Sequence, residues 1–283
     1  MEKITAAAIR DMKDRGERIV MLATYDYLTA RMIDGAGVDA VLVGDSVANV
    51  VLGHRDTLAV SMDEMIHHTK AVARGVKRAL VVGDMPFMSY QASADDAIRN
   101  AGRFLKEGHA EAVKVEGGQS MIKKINAIIG AGIPVMGHLG LTPQWVHQFG
   151  GFRVRGKTEP TARAILEDAR RLERAGVFSL VLECIPWQLA KLITEKVGVP
   201  TIGIGAGPYC DGQVLVLHDL LGLTGPHVPK FVKRYAKLDD AITKALADFK
   251  REVKAGKFPG IEHSYDMPRE EMRRLLKSFR RGR

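Results

Sequence analysis

Short apolar runs that end abruptly on an ionisable side chain recur along this chain. They are Val41-Leu42-Val43-Gly44-Asp45-Ser46, Leu80-Val81-Val82-Gly83-Asp84, Ala112-Val113-Lys114-Val115-Glu116, Pro134-Val135-Met136-Gly137-His138 and Leu180-Val181-Leu182-Glu183. Apolar runs of this length bounded by turn signals predict buried strands. In chain order, strands are expected near 19–24, 39–45, 79–84, 112–116, 133–138, 178–183, 199–204 and 214–218. Helical periodicity fills the intervals near 26–35, 61–74, 93–107, 118–130, 161–175 and 186–197. Strands alternating with helices predict an α/β fold with a parallel sheet, and eight of them predict a closed (β/α)8 TIM barrel. A short helix over 4–14 leads in, and a helical extension over 232–283 follows. Gly35-Ala36-Gly37, Gly130-Ala131-Gly132 and Ala175-Gly176 read as helix C-terminal glycines handing over to the next strand.

Loop length separates the two ends of such a barrel. Helix-to-strand connections are a few residues, whereas strand-to-helix connections include Ser46 to Val60 and Leu139 to Pro160, so the long loops gather at the carboxyl end of the strands, where barrel enzymes carry their sites. Side chains alternate between the two faces of a strand. If Val41 and Val43 face the barrel interior, so does Asp45; the same rule joins Leu80 and Val82 to Asp84, Lys114 to Glu116, Met136 to His138 and Val181 to Glu183. The segment Gln148 to Gly156, with its glycines and cations, fits either a lid over the mouth or an ordinary surface loop.

A length of 283 residues suits one barrel domain, and a hydrophobic fraction of 46% with 27% charged residues is that of a globular protein. No window approaches the roughly 18 unbroken apolar residues of a membrane span, and the N-terminal stretch lacks a secretory pattern. These features set the expectation of a cytoplasmic protein. Cys184 and Cys210 are too few for a disulfide framework or a zinc site. The net charge of +9 raises nucleic-acid binding, but Lys230 to Arg283 hold 16 Lys and Arg against 8 Asp and Glu, a net of +8. The excess is a basic tail whose helices carry Leu238, Ile242, Leu246 and Phe249, then Met272, Leu275, Leu276 and Phe279, each set on one face. With no aromatic platform or zinc module, neither nucleic acid nor membrane is expected as a partner.

Charged residues are seldom buried unless paired or metal-bound. Asp45, Asp84 and Glu116 together make a hard oxygen site suited to Mg²⁺; a structural ion-pair network around Lys114 is the alternative. A 2-oxo acid could complete the shell of such an ion, which would stabilise the enolate formed when a neighbouring C–H is lost. Glu183 is the spare carboxylate and the candidate general base. Lys114 and Ser46 suit the substrate carboxylate, and His138 a developing oxyanion. The run Ile202-Gly203-Ile204-Gly205-Ala206-Gly207 fits close backbone approach to a ligand, tight packing or phosphate binding, but lacks the spacing of a dinucleotide fingerprint.

Taken in order, these residues resemble the ketopantoate hydroxymethyltransferase (3-methyl-2-oxobutanoate hydroxymethyltransferase) family over nearly the whole chain. The resemblance runs through Thr24-Tyr25-Asp26-Tyr27, Val43-Gly44-Asp45-Ser46, Gly53-His54, Gly83-Asp84-Met85-Pro86-Phe87-Met88 and Val113-Lys114-Val115-Glu116-Gly117-Gly118. It continues through Gly137-His138-Leu139-Gly140-Leu141-Thr142-Pro143-Gln144, Leu182-Glu183-Cys184-Ile185-Pro186, Gly203 to Gly207, Asp211-Gly212-Gln213 and His227-Val228-Pro229-Lys230-Phe231. It implies a Mg²⁺-dependent enzyme of pantothenate synthesis that moves a hydroxymethyl group from 5,10-methylenetetrahydrofolate to 3-methyl-2-oxobutanoate, as a homodecamer. It places Asp45, Asp84 and Glu116 at the metal, Ser46 and Lys114 at the oxo acid, and Glu183 as proton acceptor. Val47-Ala48 stands where the family carries Leu-Gly, and the tail is longer and more basic than the family leads one to expect. Two rivals are a carbon–carbon lyase or mutase using the same metal-held enolate, and a binding protein that uses the basic tail.

Overall fold

The computed structural model describes residues 2–225 and 228–280; His227, in the last of the motifs above, lies outside them. Eight parallel strands close into a barrel in sequence order: β1 (Ile19–Ala23), β2 (Ala40–Val43), β3 (Leu80–Asp84), β4 (Ala112–Glu116), β5 (Val135–Gly140), β6 (Ser179–Glu183), β7 (Thr201–Ile204) and β8 (Gly212–Val216). Closure is made by β8 on β1, in register from Ile19 opposite Gly212 to Ala23 opposite Val216. The expected (β/α)8 architecture is therefore present. The eighth strand starts at Gly212, two residues before its expected position, and ends at Val216 because Leu217 opens the short helix Leu217–Leu221.

Alternation along the strands builds two apolar layers. Met21, Leu42, Val82, Met136, Val181, Ile202 and Val214 form the interior cluster, joined by Ile4, Ile9 and Met12 from the N-terminal segment and its helix Ala6–Asp14. The opposite face carries Val41, Val43, Val81, Val113, Val135, Leu180 and Leu182, which pack with Met65, Val72, Phe104, Ile125, Leu172 and Ile193 of the surrounding helices. This corrects the expected register of β2. Leu42, not Val41 and Val43, faces inward, and Asp45 reaches the interior from a turn beyond the strand rather than by strand parity. The registers expected for β3, β4, β5 and β6 hold. Gly83 shows why a small residue follows Val82: a Cβ there would collide with the ring of Phe104, and truncating such a fully buried ring costs about 3–5 kcal/mol.

The helices begin where their caps dictate. Met62–Gly75 starts with a capping box, in which Ser61 Oγ accepts from Glu64 N at 3.3 Å and Glu64 Oε2 accepts from Ser61 N at 2.8 Å. Ala94–Lys106 starts at Ser93 with Asp95 and Asp96 in its first turn, the acidic end the helix dipole favours. Two compact units divide the chain, Met1–Ala236 with the barrel and Lys237–Arg283 with the helices Leu238–Lys254 and Arg269–Arg280. Within the second unit Ile242, Leu246 and Phe249 of the first helix, and Met272, Leu275, Leu276 and Phe279 of the other, are exposed. Among the described residues no helix is long and apolar enough to cross a membrane.

Candidate active site

A cavity of about 220 Å³ opens at the carboxyl end of the strands, and Asp45, Ser46, Asp84, Lys114, Glu116, His138 and Glu183 all line it. Strand register explains the convergence. Asp84 closes β3 directly opposite Lys114 of β4; Glu116 closes β4 opposite His138 of β5; Glu183 closes β6 opposite Gly140. Asp45 is brought to the same place by its own backbone, whose N–H donates to Asp84 Oδ2 at 3.0 Å. Val181, Ile204, Val214, Val216 and Phe231 supply an apolar wall.

The charges in this cavity are crowded and deeply buried. Lys114 Nζ stands 2.8 Å from Asp84 Oδ1 and 3.5 Å from Glu116 Oε1. His138 places Nδ1 3.3 Å from Glu116 Oε1 and Nε2 3.2 Å from Glu183 Oε2, so its ring bridges two carboxylates. Burial, then the neighbouring Asp84 and Glu116, push the pKa of Asp45 well above the carboxylate range. Burial raises Asp84 as well, against the pull of Lys114. For Glu116 burial is outweighed by Lys114 and His138, and its pKa falls. Burial and Lys114 alone would depress His138, yet Glu116 and Glu183 raise it to about 9. Burial would likewise depress Lys114, but Asp84, Glu116 and Asp45 hold it raised and charged.

This donor set fits a hard divalent cation. Asp84 Oδ1 and Glu116 Oε1 are buried without a hydrogen-bond partner, since the close approach of Lys114 to them is an ion pair rather than a well-angled hydrogen bond. One buried ammonium is thus shared among Asp84, Glu116 and the neighbouring Asp45, which leaves more carboxylate than cation in the cavity and room for a further positive charge. Among the described residues no group of three His, Cys, Asp or Glu side chains stands close enough to enclose a metal ion. One or two carboxylates, with water or substrate in the remaining positions, is the way Mg²⁺ is commonly held. Asp45, Asp84 and Glu116 line the cavity and are the carboxylates that would hold such an ion, one or two of them at a time.

Three neutral side chains complete the site without having been singled out by their own sequence pattern. Gln144 Nε2 donates to Asp45 Oδ2 at 3.0 Å and to the Met85 carbonyl at 2.9 Å, while its backbone N–H donates to Glu116 Oε2 at 3.0 Å. Tyr90 OH donates to Gln144 Oε1 at 2.7 Å and accepts from Glu116 N at 3.1 Å. Tyr25 OH lies 2.8 Å from Ser46 Oγ. Gln144 and Tyr25 fall within motifs quoted above, which was the one signal available; Tyr90 had none.

The glycine-rich run after β7 is a packing device. Gly205, at φ 64°, leaves room for the Phe231 ring, and Gly207, at φ 81°, for Trp187. The segment Gln148 to Gly156 borders a second cavity of about 260 Å³ beside the mouth, where the Arg155 guanidinium lies 4.1 Å from the centre of the Phe149 ring and Arg155 N donates to the Cys184 carbonyl at 2.9 Å.

Similarity to known proteins spans nearly the whole chain. A family model described as ketopantoate hydroxymethyltransferase matches residues 3–261. A 3-methyl-2-oxobutanoate hydroxymethyltransferase of Syntrophomonas wolfei is 55% identical over 275 residues, covering 97% of this chain and 100% of that protein. One of Moorella thermoacetica is 58% identical over 263 residues, covering 93% and 98%. Among solved structures, phosphonopyruvate hydrolase in complex with oxalate and Mg²⁺ superposes with a TM-score of 0.61 at 13% identity, covering 99% of this chain and 97% of that one. 2,3-Dimethylmalate lyase, of the PEP mutase/isocitrate lyase superfamily, superposes at 0.60 with 17% identity, covering 97% and 96%. At that identity the structural likeness speaks to the fold alone.

Proposed function

The chain belongs to the ketopantoate hydroxymethyltransferase family, and on that premise we propose that it makes ketopantoate from 3-methyl-2-oxobutanoate. The one-carbon donor is 5,10-methylenetetrahydrofolate or a related reduced pterin, the metal ion is Mg²⁺, and the product feeds pantothenate and coenzyme A synthesis. The working form is a cytoplasmic homo-oligomer, a decamer by family resemblance.

The observation that carries this reading is a division among the carboxylates of one cavity. The side chains of Asp84 and Glu116 are 2% and 1% exposed, while that of Glu183 is 17% exposed. Deep carboxylates suit a resident cation, and a reachable one suits contact with substrate. When bound, the cation supplies positive charge against which the oxo acid acidifies its C3–H bond. Ser46 and Lys114 hold the substrate carboxylate and orient C3 toward Glu183. The branched carbon and its methyl groups rest on Val181, Ile204, Val214 and Val216, which also keep water from the reacting carbon. Glu183 takes the C3 proton on a carboxylate oxygen, with His138 Nε2 steadying the group at Oε2. The electron pair left on C3 then forms the new bond to the donor's methylene carbon, whose two C–N bonds break in turn: one opens with its electron pair going to nitrogen as the C–C bond forms, and the other breaks as water supplies the hydroxyl oxygen, the released protons going to the two departing nitrogens.

Proton NMR of 3-methyl-2-oxobutanoate in D₂O, with protein and Mg²⁺ but no pterin, tests this directly. Loss of the C3 proton signal that a chelator abolishes is the expected result, followed by ketopantoate formation once the donor is added. Neither exchange nor product with the donor present overturns the proposal.

A further inference from the structure

Tyr25 occupies the turn after β1, beside the charged cluster rather than in it, and is 2% exposed. It is pinned at both ends. Its carbonyl accepts from His68 Nδ1 at 2.8 Å, and since a carbonyl cannot donate, that ring nitrogen carries the proton. Its ring stands edge-on to His68 at 6.5 Å and tilted against His218 at 5.6 Å. Its hydroxyl has one hydrogen-bond partner among the described residues, Ser46 Oγ at 2.8 Å.

That single contact fixes a direction. Burial pushes the phenol pKa up, so the group keeps its proton. A buried O–H without an acceptor carries the full desolvation penalty of that group. If Ser46 donated to Tyr25, the phenol proton would be stranded and the serine proton turned away from the cavity. With Tyr25 donating, Ser46 accepts, and the serine proton is free to turn into the cavity that Ser46 lines. Two hydroxyls in series also polarise one another, which strengthens the outer donor.

We infer that Tyr25 is a positioning residue that fixes Ser46 as a hydrogen-bond donor to the carboxylate of the 2-oxo acid. This rests on the proposed role of Ser46 in holding that carboxylate. A serine hydroxyl with a free choice of rotamer and proton would meet an anion as a weaker donor; Tyr25 removes the choice.

Calorimetric Kd for 3-methyl-2-oxobutanoate with Mg²⁺, alongside steady-state KM and kcat, tests the inference on the full-length chain. Tyr25→Phe is expected to weaken Kd and raise KM about three- to tenfold, more than it lowers kcat, because a hydrogen bond to a charged group is being weakened rather than a proton transfer removed. Ser46→Ala is expected to weaken binding at least as much, and Tyr25→Phe/Ser46→Ala to match Ser46→Ala alone, since the tyrosine acts through the serine. Unchanged Kd in Tyr25→Phe beside weakened Kd in Ser46→Ala overturns the inference and leaves the role of Ser46 intact. So does a tyrosine effect that persists in full on the Ser46→Ala background. Unchanged Kd in Ser46→Ala overturns the role of Ser46 itself. If Tyr25→Phe fails to fold, 3-fluorotyrosine at position 25 keeps the hydroxyl as a stronger donor and is expected to tighten Kd by about twofold; no tightening overturns the inference.

Discussion

The two ends of the barrel both bury charged residues, and they treat them in opposite ways. At the amino end Asp39 accepts from Val20 N at 3.0 Å and pairs with Arg78 at 3.3 Å. Asp211 accepts from Thr201 N at 2.8 Å and from Lys13 Nζ at 3.0 Å, and the same ammonium donates to the carbonyls of Thr194 and Val199 at 3.0 and 3.1 Å. Each of these charges has its partners inside the protein. At the carboxyl end Asp84 Oδ1, Glu116 Oε1 and His138 Nε2 are buried with no hydrogen bond, and Asp45 and Asp84 are held beside one another against their own repulsion. The amino-end charges are hydrogen-bonded to backbone as well as to each other and tie strands to helices; the carboxyl-end carboxylates share Lys114 and His138 as their cations, around a cavity. The contrast predicts that removing a carboxylate at the top costs function and little stability, and that removing one at the bottom does the reverse.

The largest effect is expected from Asp45→Asn. The amide keeps the contact with Gln144 and removes one of the crowded charges. Mg²⁺ affinity measured by calorimetry should collapse and turnover should fall on the order of a thousandfold, the several kcal/mol a metal supplies to developing charge. The melting temperature in chelator should hold steady or rise. Undiminished Mg²⁺ affinity would remove Asp45 from the metal site, and a marked loss of stability would erase the contrast between the two ends. Next in size is Glu183→Gln, which should lower turnover by about 10²- to 10⁴-fold, the usual worth of a positioned general base. Mg²⁺ and the oxo acid should still bind, because neither is assigned to Glu183. Wild-type rates of C3 deuterium exchange in this variant would hand the proton to another group.

Much of this division could be read from the residues before any coordinates. Apolar runs ending on Asp84, Glu116, His138 and Glu183 gave both the strands and their common destination, because strand parity is a local rule and needs no knowledge of the partner strand. Asp45 reached the same cavity for a different reason. Its strand ends at Val43 with Leu42 inward, and the turn redirects the carboxylate, fixed by the Asp45 backbone N–H donating to Asp84 Oδ2, 39 residues away. The Gln144 contact to Asp45 spans 99 positions and the Tyr90 contact to Gln144 spans 54. A neutral amide or phenol in a loop looks the same whether it faces solvent or a carboxylate, so only tertiary structure could assign these two. The glycines at 205 and 207 were ambiguous for the same reason, since the Phe231 and Trp187 rings that require them come from other parts of the chain.

The smallest effect sharpens the comparison from the bottom end. Asp34, near the end of the helix Tyr27–Gly35, accepts from the backbone N–H groups of Lys77, Arg78 and Ala79 at 2.9, 2.9 and 2.8 Å and so clasps the chain as it enters β3. Burial works against the ionised form, but these three donors overcome it and lower the pKa of Asp34. A carboxyl group whose folded pKa lies below its unfolded value of about 3.9 stabilises the fold at higher pH, and that contribution fades as pH falls through the folded value. Asp34→Asn replaces one acceptor oxygen with a donor facing N–H groups and should cost about 1–3 kcal/mol in urea unfolding at neutral pH. The gap to wild type should narrow steadily below about pH 4, where the native carboxylate is itself becoming protonated. Turnover at neutral pH should be unaffected, because Asp34 belongs to the end of the barrel that holds the fold and not the chemistry. A gap that persists undiminished into acid would mean that the clasp works through shape and not charge; a fall in turnover without loss of stability would mean that the two ends are not separate in function.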